Sequence, residues 1–175
     1  MKRKLFFLVL TAVVAVIVWS LFGRNRSEPL PNDLQEQLIR SASFEALSLD
    51  PVPVFDSDKI KTNSDKIFRY PVLGRVKIDD QNLRRELVVA ISKDVAEANH
   101  PQFKCMLEPR HGVRCVDGSN TVLIAICYHC GDVVLARNGK NEDYLIKMNG
   151  ALLSPASKEL FEKIFKEAGI KASPN

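Results

Sequence analysis

Several common catalytic signatures are missing from this chain of 175 residues. It has no Gly-x-Ser-x-Gly elbow to expose a nucleophilic serine and no phosphate-cradling glycine loop. It also has no His-Glu-x-x-His helix to hold a catalytic zinc. Internal repeats are absent too. The first 27 residues contain no acidic side chain, and no cysteine follows the apolar start closely enough to serve as a bacterial lipoprotein acyl site. A basic excess is missing from the body of the chain. Of 25 Lys and Arg residues, Lys2, Arg3, Lys4, Arg24 and Arg26 flank the apolar start, leaving 20 against 21 acidic residues from Ser27 onward, a net charge of −1. Nucleic-acid binding needs clustered positive charge, so no nucleic-acid partner is expected.

What is present begins with Leu5 to Phe22, apolar except for Thr11 and Ser20. As a helix these residues extend ~27 Å, close to the ~30 Å hydrocarbon layer of a bilayer. The basic residues before the run favour an N-terminus in the cytoplasm and a body outside it. A cleaved signal peptide shares the basic-then-apolar pattern, and Val18-Trp19-Ser20 passes for a cleavage site; the length of the run favours a retained anchor. The expected location is a bacterial inner membrane crossed once, with the C-terminal body extracytoplasmic, or secreted if the leader is cut. The membrane is thus the expected partner, and no protein or small-molecule partner is specified.

Along the chain, residues 1–23 read as a basic start and transmembrane anchor. Residues 24–66 read as a juxtamembrane helix, with Leu34, Leu38, Ile39 and Ala42 on one face and open to two readings, a stalk or part of the fold, followed by a polar linker from Leu49 to Lys66. Residues 67–170 read as the compact domain and 171–175 as a tail. Within that domain Phe68–Ile78 is rich in strand formers. Asp79 or Asp80 can then cap a helix carrying Leu83, Leu87, Ala90, Ile91, Val95 and Ala98. Short strands are expected at Phe103–Leu107, Gly112–Val116, Thr121–Tyr128, Val133–Arg137 and Tyr144–Met148. A last helix has Ser154 as N-cap, Pro155 at its first position, an apolar stripe of Leu160, Phe161, Ile164, Phe165 and Ala168, and Gly169 at its left-handed end. The expected fold is α+β: an antiparallel meander with helices on one face, preceded by one transmembrane helix.

All four cysteines, Cys105, Cys115, Cys127 and Cys130, fall in one 26-residue stretch. The turn at Val116–Thr121 places Cys115 across from about Val122. Cys127 then lies five residues, ~16 Å, along the strand, beyond the ~7 Å that a disulfide allows. Cys115 is therefore expected to be a lone buried thiol, and Cys105 the partner of Cys127 or Cys130. Three chemistries remain for Cys105, Cys127 and Cys130. A structural bridge suits an oxidising compartment. A thiol-disulfide redox pair, Cys127/Cys130, would normally open a helix whose dipole lowers the nucleophile's pKa, but Gly131-Asp132-Val133 reads as a turn into a strand. A zinc site would pair Cys127 and Cys130 with Cys105 and either His111 or Cys115, at irregular spacing, the set Cys105, His111, Cys127 and Cys130 being the candidate. Haem attachment fails because Gly131, not His, follows Cys130. His111 beside Glu108 offers a weak acid/base pair, and a turn-stabilising or exposed histidine is the simpler reading.

The segments Cys105–Arg114, Val122–Cys130 and Leu160–Ile170 resemble a group of uncharacterised bacterial exported or membrane-anchored proteins. The group shares a Cys-x-x-x-Pro-x-His turn and an apolar strand ending in Cys-x-x-Cys. The resemblance covers about 65 residues and implies a bacterial source. It treats Cys105, Pro109, His111, Cys127 and Cys130 as one constellation. The resulting expectation is a membrane-tethered binding or structural domain of the cell envelope rather than an enzyme. No catalytic or cofactor-binding residue is assigned and no cofactor is expected, zinc being the one alternative.

Overall fold

A computed structural model describes residues 29–54, 66–97, 107–129, 131–138, 140–146, 156–171 and 173. The expected anchor, Leu5 to Phe22, lies outside them, as do Cys105, Cys130, Ala98, Phe103–Met106 and the helix start at Ser154-Pro155. Among the described residues no helix is long and apolar enough to cross a membrane.

The chain runs α1 (Asn32–Arg40), β1 (Ser43–Leu49), β2 (Lys66–Ile67), β3 (Tyr70–Lys77), α2 (Gln81–Glu97), β4 (His111–Asp117), β5 (Asn120–Cys127), β6 (Asp132–Arg137), β7 (Lys140–Ile146) and α3 (Ala156–Glu167). The strands form one antiparallel sheet in the order β2-β3-β1-β4-β5-β6-β7. The expected α+β class and antiparallel pairing are observed. Strands β4 to β7 do form a meander, but β1 is inserted between β3 and β4, so the whole sheet is not one.

That insertion moves the start of the packed unit. The sequence places a juxtamembrane helix, either a stalk or part of the fold, and a polar linker at residues 24–66, with the compact domain beginning at Ile67. Instead, β1 pairs with β3 through Glu45↔Lys77 and with β4 through Phe44↔Cys115. Leu30, Leu34, Leu38 and Phe44 join the main core at 2% exposure or less. The folded unit therefore includes the α1 helix and β1, upstream of Ile67.

Local signals explain several boundaries. The Asp80 carboxylate accepts the Asn82 N–H at 2.7 Å and caps α2. At the end of α3, Gly169 takes φ 67°, and the Ile170 N–H reaches back to the Phe165 carbonyl at 2.9 Å, a Schellman closure. Gly118, at φ 58°, supports the two-residue turn that joins β4 and β5. The β2–β3 turn is built instead from Phe68 (φ 50°) and Arg69 (φ 82°), so Phe68–Ile78 is not one continuous strand.

The three helices among the described residues cover one face of the sheet. Leu34 and Leu38, then Leu87, Ile91 and Val95, then Phe161, Ile164 and Phe165 pack against Phe44, Ala46, Val113, Ile124 and Ile126 in one cluster. A buried cation ties these layers: Arg84 Nε donates to the Ile78 carbonyl at 2.6 Å and Nη1 to the Ser41 carbonyl at 2.7 Å. Ser41 ends α1, so the guanidinium also satisfies a helix C-terminus. The opposite face carries a smaller cluster of Leu47, Leu49, Ile67, Tyr70 and Ala125.

Candidate functional site

The hairpin register places Cys115 opposite Val122, as the turn position predicts. Side chains alternate along a strand, so Val122, Ile124 and Ile126 face the helices while Leu123, Ala125 and Cys127 face away. Cys115 shares the Val122 side. The two thiols thus leave opposite faces of the sheet, a stronger obstacle to bonding than their spacing alone, and no disulfide joins them. The Cys115 sulfur lies 3.9 Å from the Leu38 carbonyl, and burial pushes its thiol pKa up to about 12. Such a thiol is unreactive at neutral pH.

His111 pairs with Ile126 and therefore faces the helices, away from Cys127. One ion cannot take both side chains as ligands across a sheet, so the set Cys105, His111, Cys127 and Cys130 does not hold together as a zinc site. Among the described residues no three His, Cys, Asp or Glu side chains gather to hold a metal. Cys127 is the buried last residue of β5, and Tyr128-His129 turns directly toward β6 through Gly131 at φ 70°. The residues after Cys127 start a strand and not a helix, as the sequence suggested.

The polar groups that do meet lie under the helices. His111 is 5% exposed, which overturns the exposed or turn-stabilising reading, and Glu108 by contrast lies at the surface. The imidazole meets Tyr128 edge-on at 5.2 Å, Phe161 at 5.2 Å, and Phe165 in a stacked arrangement at 5.9 Å. Burial, with smaller contributions from the Lys158 and Arg110 charges, lowers its pKa to about 4. The ring is therefore neutral at pH 7.

Beside it runs a directed chain of hydrogen bonds. The Asp94 carboxylate, 1% exposed on α2, accepts the Ser157 N–H at 2.9 Å and the Ser157 hydroxyl at 2.5 Å. The Ser157 proton is committed to Asp94, so the Tyr128 hydroxyl is the donor in its 2.5 Å contact with Ser157 Oγ. Burial raises the Tyr128 pKa, keeping its proton in place. A carboxylate on α2 thereby caps the first turn of α3 and ties both helices to the end of β5.

This arrangement contains serine, histidine and aspartate, but it is not a nucleophile-base relay. Ser157 gives its proton to a carboxylate, and His111 touches rings, with Nδ1 buried and lacking a hydrogen-bond partner. The chemistry-bearing side chains act as a lock between elements. Sequence reasoning missed Asp94, Tyr128 and Ser157. A signal existed for Asp94, which lies between Ile91 and Val95 on the apolar stripe of α2, where a carboxylate needs buried donors. Comparison of the chain with protein-family models, curated proteins and solved structures finds no match in any of the three.

Proposed function

We propose that this chain is a membrane-tethered, extracytoplasmic α+β domain of the bacterial cell envelope that works by binding rather than by catalysis. The tether is the apolar run Leu5 to Phe22 with its basic prefix. The bacterial setting rests on the resemblance carried by Cys105, Pro109, His111, Cys127 and Cys130. The observation that carries the non-enzymatic reading is the Asp94–Ser157–Tyr128 chain: Asp94 Oδ2 accepts both Ser157 donors, Ser157 Oγ accepts from Tyr128, and these bonds hold α2, α3 and the end of β5 together. The neutral, ring-enclosed His111 supports the same reading, since an acid/base residue needs contact with its substrate.

The test pairs topology with thiol chemistry. Reporter enzymes fused after Asn175 in a bacterial host are expected to be active only in the form that works outside the cytoplasm. Thiol titration and elemental analysis of the purified full chain are expected to give a stable disulfide and no stoichiometric metal. A reporter active only inside the cell overturns the tethered, exported reading. A Cys127/Cys130 pair that cycles readily and oxidises strongly replaces the binding reading with thiol-disulfide exchange. One equivalent of zinc replaces it with a metal site built without His111.

A further inference from the structure

The sheet face away from the helices contains a cavity of about 130 Å³, formed because the β2–β3 hairpin curls over that face. Lys66 and Ile67 of β2 line it together with Thr121 and Leu123 of β5. In strand order β2 and β5 are separated by β3, β1 and β4, roughly 19 Å across a flat sheet at ~4.8 Å per strand. Only a curled edge brings them to one cavity. Ile67 and Ala125 belong to the same apolar cluster, which agrees with that curl.

The lining is apolar on its walls and cationic at its polar points. Leu47, Ile67, Val72 and Leu123 supply the aliphatic surface, and Lys66, Arg114 and Thr121 supply the polar groups. The Lys66 Nζ is buried and has no hydrogen-bond partner. A buried ammonium without acceptors is costly, because nothing replaces the water it has lost. Among the described residues no carboxylate pairs with it. Glu45 lies 3.9 Å from both Arg75 and Arg114, so one carboxylate already serves two guanidinium groups. The site therefore offers cationic groups, a waiting donor at Lys66 and an aliphatic enclosure.

We propose that this cavity binds a small organic anion: one carboxylate held at Lys66, with Arg114 and Thr121 beside it, and a short aliphatic body against Leu47, Ile67, Val72 and Leu123. Its size supports that class, since an apolar cavity of ~150 Å³ accepts benzene, and about 130 Å³ suits a body of roughly six carbons. Inorganic phosphate would meet the charge but leave the aliphatic walls unfilled. A neutral alcohol would fill the walls but leave the ammonium uncompensated. This inference rests on the binding reading above and gives it a ligand class.

The test is calorimetric titration of the full chain in lipid nanodiscs with hexanoate, with empty nanodiscs as the partition control. Methyl NMR of Ile67 and Leu123 locates the ligand. Saturable one-to-one binding is expected with Kd below about 1 mM, from modest ligand efficiency over eight heavy atoms. Hexanol and phosphate should each bind about tenfold more weakly or worse. Lys66→Met keeps the aliphatic stem and removes the unpaired charge. It should melt no lower than the parent chain yet lose about tenfold or more in affinity. The proposal is overturned by absence of hexanoate binding, by phosphate binding as tightly as hexanoate, or by unchanged affinity in a folded Lys66→Met chain. None of these outcomes alters the reporter and thiol results, so loss of the ligand class leaves the tethered binding domain to stand or fall on its own test.

Discussion

Burial keeps the His111 imidazole neutral, and this makes stability depend on pH in a definite direction. Its folded pKa, about 4, lies below the unfolded value of 6.5, so the unfolded chain takes up a proton that the folded chain refuses. The contribution of the neutral ring is complete above about pH 6.5 and is lost as pH falls toward 4. Between pH 7 and 4.5 the loss comes to about 2 kcal/mol. His111→Phe preserves the ring contacts and removes the titration, so its stability should change less with pH over that window. Urea denaturation of both chains at several pH values checks this difference. The neighbouring relay predicts an order of mutational cost. Asp94→Ala leaves both the N–H and the hydroxyl of Ser157 without their acceptor and should cost most, about 3 kcal/mol. Ser157→Ala strands the Tyr128 hydroxyl and should cost about 1–3 kcal/mol. Tyr128→Phe leaves the Ser157–Asp94 bonds intact and should cost least, about 1 kcal/mol. Equilibrium unfolding that ranks Tyr128→Phe above Asp94→Ala would show that the lock does not run in this direction. Beyond the place of Asp94 on an apolar stripe, none of this was legible from residue type, because a buried relay depends on which elements meet. Val133 and Ile126 announce a core, whereas Ser157 gives no sign of what lies beneath it.

Two glycines show how elements constrain one another. A Cβ on Gly112 would lie 2.8 Å from the Ile124 carbonyl oxygen and 3.2 Å from Leu49 Cδ1. The oxygen belongs to the backbone of β5 in the middle of the sheet and cannot retreat without disturbing the pairing. A Cβ on Gly74 would lie 2.5 Å from Ile170 Cγ2, on the segment that follows α3. That neighbour is a side chain near the chain's end. Gly112→Ala should therefore destabilise by about 3 kcal/mol with no rescue from a nearby truncation, whereas the cost of Gly74→Ala, about 1–3 kcal/mol, should shrink when combined with Ile170→Ala. Thermal melts of the two single variants and the double variant decide it. At this scale the sequence was informative where turn chemistry is strong. Gly118 fixed the β4–β5 register, Gly169 the end of α3 and Asp80 the start of α2. It failed where the backbone departs from local preference. The Phe68-Arg69 turn holds two non-glycine residues at positive φ, so nothing in its composition marks a reversal.

For the whole molecule the decisive element is β1, which neither a period of two nor strand-forming composition revealed. Its residues Ser43-Phe44-Glu45-Ala46-Leu47-Ser48-Leu49 lack any β-branched side chain, and their last four are buried in succession. A central strand covered on both faces loses the polar-apolar alternation that marks a half-buried one. Phe44 and Ala46 serve the helix-side core while Leu47 and Leu49 serve the opposite cluster, so this one strand joins the two apolar layers. It also joins β3 to β4, which no short turn connects. A fragment beginning at Ile67 would lose Leu34, Leu38 and Phe44 from the main core, leave Arg84 without its Ser41 acceptor, and break the sheet into β2–β3 and β4–β7. Each buried Leu or Phe removed corresponds to about 2–5 kcal/mol, and domains this small seldom exceed a total stability of 5–15 kcal/mol. Residues 67–175 alone should therefore be unfolded or molten, with poorly dispersed amide NMR signals and no cooperative melt. Residues 29–175 should give a single cooperative transition. A dispersed spectrum and sharp melt from the shorter fragment would mean that β3 can dock directly on β4, and that the central position of β1 is not what holds the sheet together.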